Sequence, residues 1–118
     1  MTTLSDDKEF TNYILDLMQS IGAVYAKRMF GGYGIFLDDL MFALINNGLL
    51  YLKADIKNKD NFIKNDLTAF SYMKKGRKCK LSYFQAPEDA LEASEMMHSW
   101  AQSSYDAALR AATKKTKQ

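Results

Sequence analysis

The chain has 118 residues, of which 47% are hydrophobic and 25% are charged, and its formal net charge is +2. This length fits one domain, and this composition excludes a disordered or fibrous protein. The acidic start MTTLSDDKEF lacks the pattern of a secretory signal, and the longest apolar run, LMFALI, is far shorter than the roughly 20 residues that cross a bilayer. We therefore expect a single cytoplasmic domain over residues 1–118 without membrane contact.

The first predicted element is an amphipathic helix over residues 6–21. Its apolar residues recur at the spacing of one buried helical stripe: Phe10, Tyr13, Ile14, Leu17, Met18 and Ile21. Ser5 is placed to cap this helix and Gly22 to end it.

Four strands are predicted between Ala23 and about Lys53. They are VYAKRMF, YGIFL, LMFALIN and LLYLKA, which are rich in β-branched and aromatic residues and separated by turn signals. Asp38-Asp39 and Asn47-Gly48 are interpreted as tight hairpin turns, because Asn and Gly tolerate the positive φ of a type I′ turn. The four strands should form an antiparallel meander.

A short helix is predicted within residues 55–66, and a second hairpin follows it. The strands of this hairpin are AFSYMKK and KCKLSYF, joined by a basic loop around Gly76. In the second strand Cys79, Leu81 and Tyr83 alternate with polar residues, which is the period-2 pattern of a half-buried strand. Tyr83 should therefore point inward with Leu81, and Cys79 should be a small core residue.

The C-terminal part is predicted to be helical. Pro87 stops the last strand and suits the first turn of a helix, and a longer helix begins after Ser94. One stripe of the longer helix consists of mostly apolar residues: Met97, Trp100, Ala101, Ser104, Tyr105, Ala108, Leu109 and Ala112. With Met96 this stripe is compatible with a partner groove, but burial against the sheet is the favoured interpretation.

These elements predict the fold class. It is α+β, with an antiparallel sheet of five to six strands and an N-terminal helix, a short middle helix and a long C-terminal helix packed on it. Residues 113–118 have no apolar side chain and are expected to fray.

The segment RMFGGYGIFLDD raises the question of a phosphate site, because glycine-rich loops hold phosphate with backbone N–H groups at a helix N-terminus. It lacks the G-x-G-x-x-G spacing and leads into a strand pattern instead of a helix. Gly31 and Gly32 are interpreted as a positive-φ turn or bulge, and Gly34 as room for a neighbouring side chain. A bend is favoured, and no cofactor-binding residue is assigned.

The basic stretch of the second hairpin is the candidate contact surface. Five cations lie within seven residues, next to Tyr72, Tyr83 and Phe84: Lys74, Lys75, Arg77, Lys78 and Lys80. Cations interleaved with aromatic rings can bind single-stranded nucleic acid by charge attraction and base stacking. A solvated hairpin tip explains the same residues and is favoured, since most charge runs are solvated faces.

No catalytic or metal-binding residue is predicted. The chain contains one cysteine and one histidine, too few for an internal disulfide and a poor set for zinc. His98 lies beside the apolar helical stripe, and nothing places Cys79 within reach of it, as a nucleophile and its base would require. Asp38 and Asp39 are explained by turn formation.

The segment RMFGGYGIFLDDLMFALINNGLLYLKAD resembles a known family. Its MFGGYG run, its MFA strand and its YLK strand are similar to the N-terminal domain of the TfoX/Sxy proteins, which regulate natural competence, and LSYFQAPEDAL and HSWAQSSYDAALRAA resemble the end of that domain. The resemblance extends from about Met18 to Leu109. Six residues form the signature segment, to which we assign a structural role: Met29, Phe30, Gly31, Gly32, Tyr33 and Gly34.

The resemblance implies an α+β fold, no enzyme activity and no cofactor. It also implies control of DNA-uptake genes through a protein partner in the transcription machinery, which for this family is the cyclic-AMP receptor protein. Full-length competence regulators have a second, helical domain after this one, whereas this sequence stops after a lysine-rich tail. We therefore expect this chain to be a single-domain relative. Two alternatives stay open: direct nucleic-acid binding by the 74–80 loop, and a homodimer through a sheet edge or the C-terminal helix.

Overall fold

The computed structural model describes residues 3–29 and 31–116 and shows helices packed on one antiparallel sheet. The N-terminal half contains α1 (Thr3–Leu17), a 3₁₀ turn (Gln19–Ile21), β1 (Tyr25–Met29), β2 (Gly32–Leu37), β3 (Leu40–Asn46) and β4 (Leu49–Lys53). The C-terminal half contains α2 (Lys59–Lys64), β5 (Ala69–Lys74), β6 (Arg77–Gln85), α3 (Glu88–Glu92) and α4 (Ser94–Thr116). The strands lie in the order β1-β2-β3-β4-β6-β5, so the predicted α+β class is confirmed. None of the described helices is long and apolar enough to span a membrane.

Tight turns close three of the strand connections. At Asp38-Asp39 the φ angles are 50° and 66°, and at Asn47-Gly48 they are 52° and 75°. Lys75-Gly76, with φ angles of 52° and 77°, forms a third turn of the same kind between β5 and β6. Positive φ at both central residues is the mark of a type I′ turn, whose twist matches that of the strands it joins. The first two turns confirm the prediction, and the third shows that the basic loop is a two-residue turn.

The helix bounds differ from the predicted ones. Helix α1 begins at Thr3, so Ser5 lies inside it and is not the residue before it. It ends at Leu17, four residues early, because the Met18 N–H is shared between the carbonyl oxygens of Ile14 and Leu15 and a 3₁₀ turn follows. Gly22, at φ 144°, closes that turn. At the other end of the chain α4 is helical through Thr116, and fraying of 113–118 stays a prediction.

The main core lies between the helices and one face of the sheet. Helices α1, α2, α3 and α4, the turn after α1, and strands β2, β3 and β4 contribute fully buried side chains, including Ile14, Met18, Ile35, Phe42, Ile45, Leu52, Phe62, Ala90, Met97 and Ala101. Phe62 of α2 packs between Phe84 and Trp100, with both ring centroids 5.2 Å from its own. Most of the predicted stripe of the long helix is therefore core, but its Leu109 is 41% exposed, as is Met96 beside the stripe.

The opposite face of the sheet has a second, smaller cluster. Its members all come from strands: Leu44, Phe70 and Tyr83, with Met41, Tyr51 and Leu81 packed against them. No helix residue of the described chain belongs to this cluster. We call this side of the sheet the open face, and it comprises the outward residues of β1 to β6 that alternate with those of the main core.

Candidate functional site

The β5–β6 hairpin divides the predicted basic cluster between two faces. In its register Tyr72 pairs with Cys79, Met73 with Lys78, and Lys74 with Arg77. Because successive side chains of a strand point to opposite faces, Lys74 and Arg77 share the open face with Tyr72. The others lie elsewhere: Lys78 and Lys80 point to the helix side, and Lys75 is in the turn. The structure therefore brings two of the five predicted cations together with an aromatic ring of the open face.

A second group of cations and rings lies at the other end of the open face. Tyr25 of β1 and Phe36 of β2 stack with ring centroids 5.6 Å apart. The Lys27 ammonium lies 4.8 Å from the Phe36 centroid and 6.0 Å from that of Tyr25. Asp39 places a carboxylate at the rim, where it accepts a hydrogen bond of 2.9 Å from the Tyr25 hydroxyl. Sequence reasoning missed Lys27, because its partner Phe36 is on another strand.

The centre of the open face is aromatic and mostly buried. Phe70 lies between Tyr51 and Tyr72, with centroid distances of 4.8 Å and 6.2 Å. The Tyr83 hydroxyl donates a 3.4 Å hydrogen bond to the Met41 carbonyl oxygen, and burial raises the pKa of this phenol to about 12. The ammonium of Lys53 lies 5.2 Å from the centre of the Tyr83 ring. The inward direction predicted for Tyr83 thus leads into this second cluster and not into the main core.

Charge is segregated between the sheet and the rest of the described chain. None of the 14 Asp and Glu residues lies in a described strand. Seven of the 16 Lys and Arg residues do: Lys27, Arg28, Lys53, Lys74, Arg77, Lys78 and Lys80. The other Lys and Arg residues that the structure describes lie in the helices, turns and loops, together with all of the Asp and Glu residues. The sheet is therefore strongly basic although the net charge of the whole chain is close to zero. Counting charges along the sequence could not predict this.

The glycine segment has a structural explanation. Gly31 follows β1 with φ 75°, in open space. A Cβ on Gly32 would lie 1.9 Å from the Ile45 carbonyl oxygen, and one on Gly34 would lie 2.4 Å from the Met29 sulfur. Gly31 makes the predicted positive-φ bend and Gly34 leaves room for a neighbouring side chain, but the prediction for Gly32 was wrong, because Gly32 has no positive φ and is needed for close contact between strands. Phe30 of this signature lies outside the described residues.

A cleft of about 590 Å³ opens between α2 and the helix side of the second hairpin. Ile56, 91% exposed, and Ile63 line it together with Lys80. At its edge Asp55 forms a two-pronged ion pair with Arg110 of α4, with N–O distances of 2.6 Å and 2.9 Å. These bonds lower the pKa of the Asp55 carboxyl to about 2. The pair ties a loop to a helix 55 residues away, a contact that no local pattern predicts.

The remaining chemical groups do not assemble a larger centre. His98 Nδ1 lies 2.6 Å from the Ser20 hydroxyl oxygen, and both residues are solvent-exposed. This contact joins the 3₁₀ turn to α4. Cys79 is half-buried on the open face and belongs to neither core cluster, so its prediction as a core residue was wrong. The described residues contain no cluster of three His, Cys, Asp or Glu side chains suited to a metal ion.

Fold and surface define an α+β module whose open sheet face is aromatic and cationic. The chain belongs to the family of the TfoX N-terminal domain, whose family model matches residues 16–108. This confirms the resemblance first noted in the sequence.

Two curated relatives support the same family. The chain is 27% identical over 95 residues to Protein Sxy of Escherichia coli (strain K12), an alignment that covers 80% of this chain and 46% of the relative. It is 28% identical over 82 residues to DNA transformation protein TfoX1 of Aliivibrio fischeri (strain ATCC 700601 / ES114), covering 70% of this chain and 37% of the relative. The chain thus matches less than half the length of either relative.

Proposed function

We propose that this chain is a non-enzymatic regulatory module of the TfoX/Sxy type, which acts on transcription through a protein partner. The observation that carries the proposal is the family match over residues 16–108, together with a relative whose name describes DNA transformation. The open face supplies the exposed side chains of Tyr72 and Arg77, and aromatic residues and arginine are enriched in protein interfaces. The partner we propose is the cyclic-AMP receptor protein, as the family resemblance implies.

Gene removal tests the regulatory role. Deleting the gene from its host should lower the transcripts of DNA-uptake genes, and the native chain supplied in trans should restore them. Unchanged transcripts under conditions that induce DNA uptake would contradict the proposal.

Binding to the purified cyclic-AMP receptor protein of the same host tests the partner. The native chain should bind it, and a variant with Gln at Lys74, Lys75, Arg77, Lys78 and Lys80 should bind less. The matched control has Gln at five exposed lysines outside the strands: Lys8, Lys57, Lys59, Lys64 and Lys114. It removes the same charge and should bind as the native chain does. Equal loss in both variants would assign the effect to net charge and contradict a site on the hairpin.

A second candidate function is direct nucleic-acid binding, with the 74–80 hairpin as the contact. It is favoured by one observation, the presence of seven cations and no carboxylate in the described strands. Such a surface attracts a polyanion even though the whole chain is nearly neutral. Affinity should fall as salt rises, and mobility-shift titrations at low salt that detect no complex would exclude this candidate.

A further inference from the structure

We propose that the open face of the sheet binds single-stranded nucleic acid. Its phosphates would lie on Lys27, Lys53, Lys74 and Arg77, and its bases against the aromatic rings beside these cations. The inference rests on the second candidate function, direct nucleic-acid binding, and moves the site from the hairpin tip to a sheet face. It is independent of the protein partner.

The cations of the open face are distributed along its whole width. Lys27 is on the edge strand β1, Lys53 is on β4, and Lys74 and Arg77 are on the β5–β6 hairpin at the other edge. With strands about 4.8 Å apart, six strands span about 24 Å. This is a track and not a single anion site, and no strand position along it carries a carboxylate. A chain of phosphates is the polyanion that fits it.

Aromatic rings lie beside the cations at both ends of the track. Tyr25 and Phe36 form a stacked pair next to Lys27, and Tyr72, 36% exposed, lies next to Lys74 and Arg77. Base stacking on such rings tolerates any sequence, because every base has a π-face. The lysine ammonium groups that lie over the rings are at the ends of flexible side chains. When bases stack on the rings, these ammonium groups can move to contact the phosphates.

The same features favour a single strand over a duplex. In a duplex the faces of the bases are stacked on one another and cannot reach a flat aromatic surface. Duplex readers place a helix or a two-stranded ribbon in a groove, whereas the described open face is a six-stranded sheet without a helix. The rings of this face would therefore be used only by unpaired bases.

The alternation of strand residues provides matched variants for the test. Lys27 and Arg28 are consecutive on β1, and Arg77 and Lys78 are consecutive on β6; all four are exposed. In each pair the first residue faces the open side and the second the helix side. Lys27→Gln/Arg77→Gln and Arg28→Gln/Lys78→Gln therefore remove equal charge from the same strands on opposite faces.

The experiment is a fluorescence-anisotropy titration with labelled oligothymidine of about 12 nucleotides, within the site size of small single-strand binders. Four phosphate contacts predict a log–log salt slope of about −2.8, and Lys27→Gln/Arg77→Gln should reduce it to about −1.4. At 0.1 M salt the same variant should lose about 25-fold in affinity, because each contact contributes about fivefold. Arg28→Gln/Lys78→Gln should change the affinity less than about threefold, through long-range charge alone. A duplex of the same length should bind more weakly than the single strand.

Stacking is tested separately from charge. Tyr72→Ala should lower the affinity about tenfold, and Tyr72→Phe should retain it, because a phenyl ring still stacks. The control is Met73→Ala, the exposed neighbour on the opposite face. A midpoint of urea unfolding equal to that of the native protein would show, for each variant, that the fold is intact.

Four results would overturn the proposal. Equal losses in the two double variants would show that the affinity follows net charge and does not depend on the open face. A tighter complex with the duplex would exclude stacking as the source of affinity. Binding of polyglutamate without binding of the oligonucleotide would assign the face to an acidic protein segment. Absence of any complex at low salt would remove both the proposal and the second candidate function.

Discussion

The three glycines of the signature segment should respond to alanine in a fixed order, with Gly32→Ala by far the most damaging. Its new Cβ would lie 1.9 Å from the Ile45 carbonyl oxygen and 3.0 Å from the carbonyl carbon, both backbone atoms of the neighbouring strand. An ordinary carbon–oxygen contact is about 3.3 Å or more, so β2 and β3 would have to separate in the middle of the sheet. Overpacking usually costs about 1–3 kcal/mol, and here neither side can yield, so we expect about 3 kcal/mol or more.

Alanine at Gly34 or Gly31 should lower the stability less than alanine at Gly32. A Cβ on Gly34 would meet the sulfur atoms of Met29 at 2.4 Å and Met41 at 3.0 Å, and these flexible side chains can move, so Gly34→Ala should cost about 1 kcal/mol. Gly31 has open space but φ 75°, which an alanine adopts at a cost of about 1–2 kcal/mol. Urea unfolding followed by the fluorescence of Trp100, the one tryptophan of the chain, measures all three. A Gly32→Ala variant that is as stable as Gly31→Ala would refute the close contact of β2 and β3.

Two pH-dependent predictions follow from the ion pair and the buried phenol. Because Arg110 lowers the pKa of Asp55 to about 2, the stability from this pair should be present above about pH 4 and lost as the pH falls toward 2. Arg110→Gln should therefore lower the free energy of unfolding by about 1 kcal/mol at pH 7, a modest value because the pair is partly exposed. Urea unfolding should show that the difference between variant and native protein disappears at low pH. A difference that is constant down to pH 2 would contradict this. Burial raises the pKa of Tyr83 from 10.0 to about 12, so the phenol ionises more readily in the unfolded protein than in the folded one. The folded state should therefore lose stability as the pH rises from about 10 through 12. Tyr83→Phe should match the stability of the native protein within about 1 kcal/mol at pH 7 and exceed it by about 1 kcal/mol at pH 11. If the stability difference between the two proteins does not change between these pH values, the phenol is exposed.

Local patterns in the sequence are sufficient for most of the secondary structure. Strand β3 was predicted with its observed bounds, Leu40–Asn46, because it lies between two turns with strong conformational signals. Asn47-Gly48 and Asp38-Asp39 carry these signals within two residues each, and the turns form as predicted. The end of α1 was predicted less well, since the stripe of apolar residues continues through a 3₁₀ turn that buries the same side.

The candidate site was only partly predictable, because it depends on which strands become neighbours. The basic hairpin could be found from a run of cations, but its division between two faces follows from the register that the Lys75-Gly76 turn sets. Lys27 and Lys53 come to share a face through the pairing of β1 to β4, and Lys74 and Arg77 join that face only because β4 pairs with β6. The bulge between β2 and β3 turns both Phe42 and Ala43 toward the main core, so simple alternation would misplace one of them.

Long-range polar contacts were missed for the same reason. Ser20 and His98 are 78 residues apart in the chain, and Asp55 and Arg110 are 55 apart. Each of these residues is unremarkable in its local sequence, and only the packing of α4 brings the partners together. Charge segregation is likewise a property of the sheet and not of any segment.

The open face as the functional surface is tested most directly by amide chemical-shift mapping. Isotope-labelled native protein would be titrated with the oligothymidine at low salt. We predict that the shifts concentrate on open-face strand positions of β1, β4, β5 and β6, including Lys27, Lys53, Tyr72 and Arg77, and leave α4 unchanged. Shifts confined to the turn at Lys75-Gly76, or to the helices, would contradict the assignment of function to this face.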